Sequence, residues 1–337
     1  MKLSILDQTP ISEDEMPKDA FLHTIDLALK AEKWGYHRFW VSEHHHSPKV
    51  VGSAPEVLIS YILANTSKIR VGSGGVMLQH YSPYKVAEVF HVLEALAPGR
   101  VDLGIGSAPG GLPLSTEALQ QGNSGKTLEE KLLELRQFLH GTVPAEHNLY
   151  GLKAIPEPEN SLDFYLLGTS LKSAKIASEF GSPYVFAQFI NSDSDELEAA
   201  IQQYRSSYKF RSAEKSAYVI LAVSVIVAST DAEAKVLKSK EQHVKITFED
   251  GTKINVDDIQ KAEEFVRQSE KLAKIEVKEK TVIAGSPSTV YEALDELKKK
   301  YQVDEFIIVT KIQDRKKRQR SYELLADEVK SKSKSTV

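Results

Sequence analysis

Short apolar runs alternate along this chain with stretches whose apolar positions recur every three or four residues, the pattern of repeated strand–helix units. LSIL (3–6) reads as the first strand. The stretch opening at Pro17 carries Phe21, Ile25, Leu27, Ala28 and Ala31 at helical spacing and stops near Gly35. RFWVS (38–42) is the second strand, Pro55 to Asn65 the second helix and IRVGSG (69–74) the third strand. Pro83 stands where a first helical turn tolerates it, ahead of a helix through Leu96 that Pro98-Gly99 ends. RVDLGIG (100–106) is the fourth strand, and Thr116 to Leu139 predicts one long helix. Gly141 to Glu159, rich in Pro and Gly, reads as an irregular connection. DFYLLG (163–168), YVFAQF (184–189), VILAVSVIVA (219–228) and EFIIVT (305–310) complete the strands. Helical stretches follow them from Ser170 to Phe180, from Asp195 to Tyr208 and from near Asp231, and GSPSTVYEALDELKKKY (285–301) precedes the last strand.

Strands continuous in Val, Ile, Leu and Phe are buried on both faces. With neither a single switch point nor a domain-scale linker, the pattern predicts one (β/α)8 TIM barrel over residues 1–337. The highly charged segment of about 240–280 breaks the rhythm and reads as an insertion between strands seven and eight. It is expected to be a mobile lid that orders over the barrel mouth when ligand binds, the alternative being a decorative helical insertion.

Composition narrows the function. A hydrophobic share of 41% in 337 residues supports a large core. A formal net charge of −4, spread along the chain, gives no reason to expect nucleic acid as a partner. The basic run Lys311 to Arg320 leads into Leu324, Leu325 and Val329 and reads as the solvated start of a last helix. The absence of cysteine rules out disulfides, thiolate metal sites and cysteine nucleophiles, and fits a reducing cytoplasm. No signal peptide and no apolar stretch of membrane-spanning length is visible, so a cytoplasmic protein is expected.

In a barrel of this kind chemistry sits at the C-terminal ends of the strands. Here those ends are GSGGVMLQHYSP (72–83), GIGSAPGG (104–111) and GTSLKSA (168–174). Glycine weakens a strand unless a backbone or ligand approaches closely, so these ends suggest a flat or phosphorylated ligand. Period-two counting sends Val101, Leu103 and Ile105 to one face and Asp102, Gly104 and Gly106 to the other, leaving room for a ring. GIGSAPG lacks the third glycine of a dinucleotide fingerprint. Thr169, Ser170 and Ser173 place hydroxyls and free N–H groups at a helix N-terminus, where anions are favoured, although a simple cap by Thr169 or Ser170 explains them equally. The histidines of VSEHHHSPK (41–49) are adjacent rather than four apart on a helix, so no metal site is expected. If Phe39 and Val41 pack outward, Trp40, Ser42 and His44 point into the barrel mouth, where His44 is a candidate acid/base.

Taken together, LSILDQTPIS, RFWVSEHHH, the block from IRVGSGG to APGRVDLGIG, LLGTSLKSAKIASEFGSPYVFAQF and GSPSTVYEALDELKKKYQVDEFIIVT resemble the bacterial luciferase-like, flavin-dependent monooxygenase family over almost the whole chain. The resemblance implies a barrel that binds reduced FMN, reacts it with O2 through a flavin C4a-peroxide and oxidises a small organic substrate. It places His44 beside the flavin ring, a non-proline cis peptide at Gly74 and Gly75, and Gly106, Ser107, Thr169, Ser170 and Ser173 around the cofactor and its phosphate. Many relatives carry Arg where this chain has Ser107, so FMN binding should be weaker by about 2–3 kcal/mol unless Lys172 compensates. Weak binding suits an enzyme that receives FMNH2 from a separate flavin reductase. The expected partners are that reductase, O2, a small-molecule substrate and a second copy of the chain in a homodimer. Use of F420 in place of FMN, and a catalytically silent flavin-binding protein, are the alternatives.

Overall fold

The computed structural model describes residues 1–121, 125–209, 216–238, 242–256 and 258–334. The first half contains β1 (Leu3–Asp7), α1 (Pro17–Trp34), β2 (Arg38–Val41), α2 (Pro55–Asn65), β3 (Arg70–Ser73), β4 (Val76–Met77), α3 (Pro83–Leu96), β5 (Val101–Gly106), α4 (Pro113–Gln120) and α5 (Leu128–His140). There follow β6 (Phe164–Gly168), α6 (Leu171–Phe180), β7 (Tyr184–Ala187), α7 (Ser194–Ser206), β8 (Val219–Val227) and α8 (Asp231–Leu237). Next come β9 (Gln242–Phe248), β10 (Lys253–Val256), α9 (Ile259–Ser269) and β11 (Ala273–Glu279). The chain continues with β12 (Ile283–Gly285), α10 (Pro287–Tyr301), β13 (Glu305–Val309) and α11 (Arg315–Lys334).

Parallel pairing runs β1-β2-β3-β5-β6-β7-β8-β13 and returns to β1, which closes an eight-stranded TIM barrel. The pleat sorts the side chains. Ile5, Phe39, Val71, Leu103, Leu221 and Phe306 face the helices in the main core, whereas Leu6, Trp40, Val185, Ile220 and Ile307 fill the barrel. Where the strands begin, the interior is plugged by charge rather than by aliphatic carbon. Arg38 donates to Glu305 through Nε (2.7 Å) and to Asp102 (2.9 Å), and Asp102 also accepts from Arg70 and from the Trp40 indole. The Arg38 guanidinium lies over the Tyr165 ring at 4.9 Å. Burial works against the Asp102 charge, but Arg38 and Arg70 outweigh it and hold the carboxyl below its usual range.

Three expectations need amendment. The long helix expected over 116–139 is two helices: Gln121 adopts a left-handed backbone (φ 48°) at the end of α4, and Thr127 opens α5 with a reciprocal capping box to Glu130. The insertion is not simply helical. Strands β9, β10 and β11 form an antiparallel sheet, order β10-β9-β11, under α9. Its own small core of Val244, Ile246, Phe248, Ala262 and Phe265 is joined by Leu112 from the barrel. The basic run at the start of α11 is not all solvated, because Arg318 is buried against Asp7 (3.4 Å) and the Thr310 carbonyl (2.9 Å). Among the described residues no helix is long and apolar enough to cross a membrane.

Candidate active site

The strand β2 delivers the turn that carries the histidines. Trp40 fills the barrel and Phe39 and Val41 face the helices, as the alternation predicts. Beyond Val41 the buried Glu43 organises the turn. Its Oε1 accepts from His45 Nε2 (2.8 Å) and from the Tyr81 hydroxyl (2.8 Å), and its Oε2 accepts the Met77 N–H (3.0 Å). One carboxylate thereby ties three segments together. Burial, and then the neighbouring Glu43 charge, push the Tyr81 hydroxyl well above its ordinary pKa, so it stays a donor. The turn that carries Tyr81 is held from behind. Lys131 Nζ of α5 donates to the carbonyls of Leu78 (3.3 Å), Gln79 (2.7 Å) and Tyr81 (3.1 Å).

His44 is half-buried at the mouth. Its N–H donates to the Gly52 carbonyl (2.8 Å), and its Nε2 lies 3.3 Å from the Gln8 side-chain amide, which reaches over from the end of β1. Two hydroxyls beside it, Ser42 Oγ and Thr9 Oγ1, are buried with no hydrogen-bond partner among the described residues. A Cβ on Gly52 would lie 3.4 Å from Thr9 Oγ1, so His44 and Thr9 meet the same glycine from two sides. Thr9 has φ 50°, a left-handed backbone that β-branched residues rarely take. Such an outlier persists only where surrounding contacts over-determine it.

The next strand ends continue the same rim. The peptide between Gly74 and Gly75 is cis. A Cβ on Gly74 would sit 2.7 Å from Leu6 Cδ1, and one on Gly75 would sit 2.8 Å from the Gly104 carbonyl and the Gly106 N–H. Close packing on Leu6 and Trp40 at Gly74, and on β5 at Gly75, therefore accounts for glycine there, whatever else approaches. Gly106 ends β5 against the Met77 sulfur, and Ser107 is exposed one step further on. The loop then folds back onto the histidine turn. Its Gly110 carbonyl accepts the His45 N–H (2.8 Å), and a Cβ on Gly111 would come within 3.0 Å of the His45 carbonyl.

After β6, Ser170 is the N-cap of α6. Its Oγ accepts the Ser173 N–H (3.3 Å), while Ser173 Oγ accepts the Ser170 N–H (3.2 Å) and bonds the Tyr184 hydroxyl (2.9 Å). Ser173 fills the space that a Cβ on Gly168 would need. Both hydroxyls are thus engaged within the protein. The N–H groups of Leu171 and Lys172 lie in the first turn, without the i−4 carbonyl that a helix interior supplies. Thr169, whose carbonyl accepts from Asn191 (2.9 Å), precedes them, and Lys172 is exposed.

His44, Gly74 and Gly75, Gly106 and Ser107, and Thr169 to Ser173 follow β2, β3, β5 and β6, which are consecutive neighbours in the barrel. All of them occupy one side of one rim. Reading the chain by alternation overlooks Glu43, Gln8, Tyr81, His80 and Lys131. A carboxylate embedded in VSEHHH is the one signal that pointed to any of them.

The comparisons with known proteins bear on the family and the fold. The family described as luciferase-like monooxygenase matches residues 1–304. The N-acetyl-S-alkylcysteine monooxygenase of Bacillus subtilis (strain 168) is 43% identical over 331 residues, 98% of either chain. Among solved structures, apo-MsnO8 is 33% identical, with 98% of this chain and 97% of its own covered at a TM-score of 0.79. The oxygenating constituent of 3,6-diketocamphane monooxygenase from the CAM plasmid of Pseudomonas putida, a type II Baeyer–Villiger monooxygenase in complex with FMN, shares the fold at a TM-score of 0.72, with 19% identity and 98% of each chain covered. A match of this extent, over a barrel of this build, makes the chain a member of the luciferase-like monooxygenase family.

Proposed function

We propose that this protein is a monooxygenase that takes reduced FMN from a separate reductase and uses O2 to oxidise a small organic substrate at the rim described above. The observation that carries the reading is the run of His44, the Gly74-Gly75 pair, Gly106 and the first turn of α6 behind four consecutive strands of one barrel rim. The first turn of α6 offers N–H donors and a favourable dipole to a phosphate, with Lys172 nearby in sequence. The residues present therefore fit the cofactor. Reduced flavin, when bound, supplies the two electrons with which O2 gives one oxygen atom to the substrate and the other to water. The protein's own part is to hold the ring, exclude water and manage a proton. His44 Nε2, which accepts from the Gln8 amide as placed, is the atom proposed to hold or pass that proton.

Anaerobic titration tests the reading. Reduced FMN should bind more tightly than oxidised FMN or F420, and Ser107→Arg should tighten FMN by on the order of 10- to 100-fold by adding a charge-assisted donor. Selective binding of F420 would overturn the choice of cofactor. Flavin binding with no O2-dependent turnover of N-acetyl-S-alkylcysteines or other thioethers, the substrate class named for the Bacillus subtilis relative, would favour a silent binding protein.

A further inference from the structure

A groove of about 310 Å3 runs along the seam between the rim and the insertion. Its rim side is formed by His80, Ser107, Ala108 and Pro109, and its far side by Ile254 of β10 and Phe265 of α9. We propose that this groove is the specificity pocket of the monooxygenase and receives the uncharged alkyl or aryl arm of the substrate, with the insertion's Ile254 and Phe265 setting its size. The proposal rests on the reading of the rim as the oxygenase site.

Three observations lead to it. Among the described residues that line the groove, none bears a carboxylate, an ammonium or a guanidinium group. His80, the one ionisable side chain there, is engaged at both nitrogens: Nε2 lies 2.7 Å from the Pro109 carbonyl, which only accepts, and Nδ1 lies 3.3 Å from the Gln120 amide, from which it accepts. Beyond its Ser107 end, which the proposed reading gives to the cofactor's phosphate, an ionic group would lose hydration without gaining a charged partner, whereas a hydrocarbon arm would gain from burial.

Size is the second observation. The volume is at the low end of what small-molecule sites offer, enough for one arm of a ligand rather than for a whole large one.

Continuity with the catalytic turn is the third. The loop that forms the groove wall at Ser107 to Pro109 goes on to receive the His45 N–H at Gly110, and the His80 and His45 rings lie edge to face at 6.0 Å. The groove is thus one imidazole away from the Glu43 turn. Because Leu112 joins the insertion's core, the two walls are coupled, and any movement of the insertion changes the width of the pocket.

The test uses the full chain and N-acetylcysteine thioethers bearing S-methyl, S-butyl and S-benzyl groups, with binding read by calorimetry and turnover by product formation with FMNH2. In the wild type, affinity should rise by up to ~4-fold per added methylene, as burial of hydrocarbon requires. Ala108→Phe fills the groove from the rim side, away from the insertion's core, and should lower the S-butyl to S-methyl ratio of kcat/KM on the order of 10-fold or more. Ile254→Ala should shift the preference the other way, toward S-benzyl. Unchanged ratios in both variants, with FMNH2 binding intact in the same samples, would overturn the pocket and leave the oxygenase reading standing. Failure of the wild type to bind FMNH2 would remove both.

Discussion

Glu43 does more to set the geometry of the rim than the histidines that follow it. Its carboxylate satisfies a backbone N–H, a phenol and an imidazole from three different segments. Truncation should leave buried donors unpaired, so Glu43→Ala is expected to cost roughly 2–5 kcal/mol in urea unfolding, with Glu43→Gln recovering part of the loss. His44 is different in kind. If its role is to handle a proton, His44→Ala should leave FMNH2 affinity within a few-fold while turnover falls by ~10²–10⁴; wild-type turnover in that variant would remove it from the chemistry. These two neighbours also mark the limit of what could be read from the chain. His44 was legible because it continues the inward register of Trp40 and Ser42, which local alternation reveals. Glu43 falls on the opposite register. Its partners Met77 and Tyr81 lie 34 and 38 residues further along, and no local period reports a contact across that distance.

At the scale of elements, the barrel strands were legible because burial on both faces makes each of them a continuous apolar run. The insertion was legible only as an interruption. Its charges drew attention away from a plain alternation, Val244, Ile246 and Phe248 on one side of Asp250-Gly251 and Ile254 and Val256 on the other, which is a hairpin signal. Gly251 has φ 81° in the turn, as that signal requires. The break between α4 and α5 is hidden for a related reason: helical periodicity on both sides masks the capping box at Thr127. A unit with its own core is suited to move as a body, and we propose that the insertion closes over the mouth when reduced flavin is present. Limited proteolysis within 242–279 should then slow when FMNH2 is added anaerobically, whereas cleavage indifferent to flavin would reduce the unit to a fixed wall. Leu112→Ala should loosen the same unit by ~2–4 kcal/mol, seen as faster amide exchange in β9 and β11 with the barrel strands unaffected.

For the whole molecule, the charged plug at the closed end of the barrel sets the response to acid. A carboxylate depressed in the native state stabilises above its unfolded pKa, about 3.9 for Asp, and its contribution is lost as pH falls through the lower native value. Stability should therefore decline below about pH 4, and Asp102→Asn should flatten that decline in thermal melts. Arg38→Met, which takes the guanidinium from buried Glu305 and leaves Asp102 with Arg70 as its cation, should cost ~3–5 kcal/mol. On the outside, Tyr61 and Val57 of α2 and Leu96 and Val92 of α3 stay exposed on neighbouring helices. We propose this face as a homodimer contact: light scattering should show a dimer that Tyr61→Glu with Leu96→Glu dissociates, and an unaltered mass would place any contact elsewhere. The closure of the barrel has one more consequence, for synthesis. β1 lies between β2 and β13, and its Ser4 side chain bonds to Glu305, 301 residues further along. At ribosomal rates of ~5–20 residues per second, the first strand waits roughly 15–60 s for that neighbour, with one edge open to strands of other nascent chains. Weaker induction, which leaves fewer nascent chains to meet, with a chaperone in attendance should therefore raise soluble yield more than any stabilising change in the finished barrel.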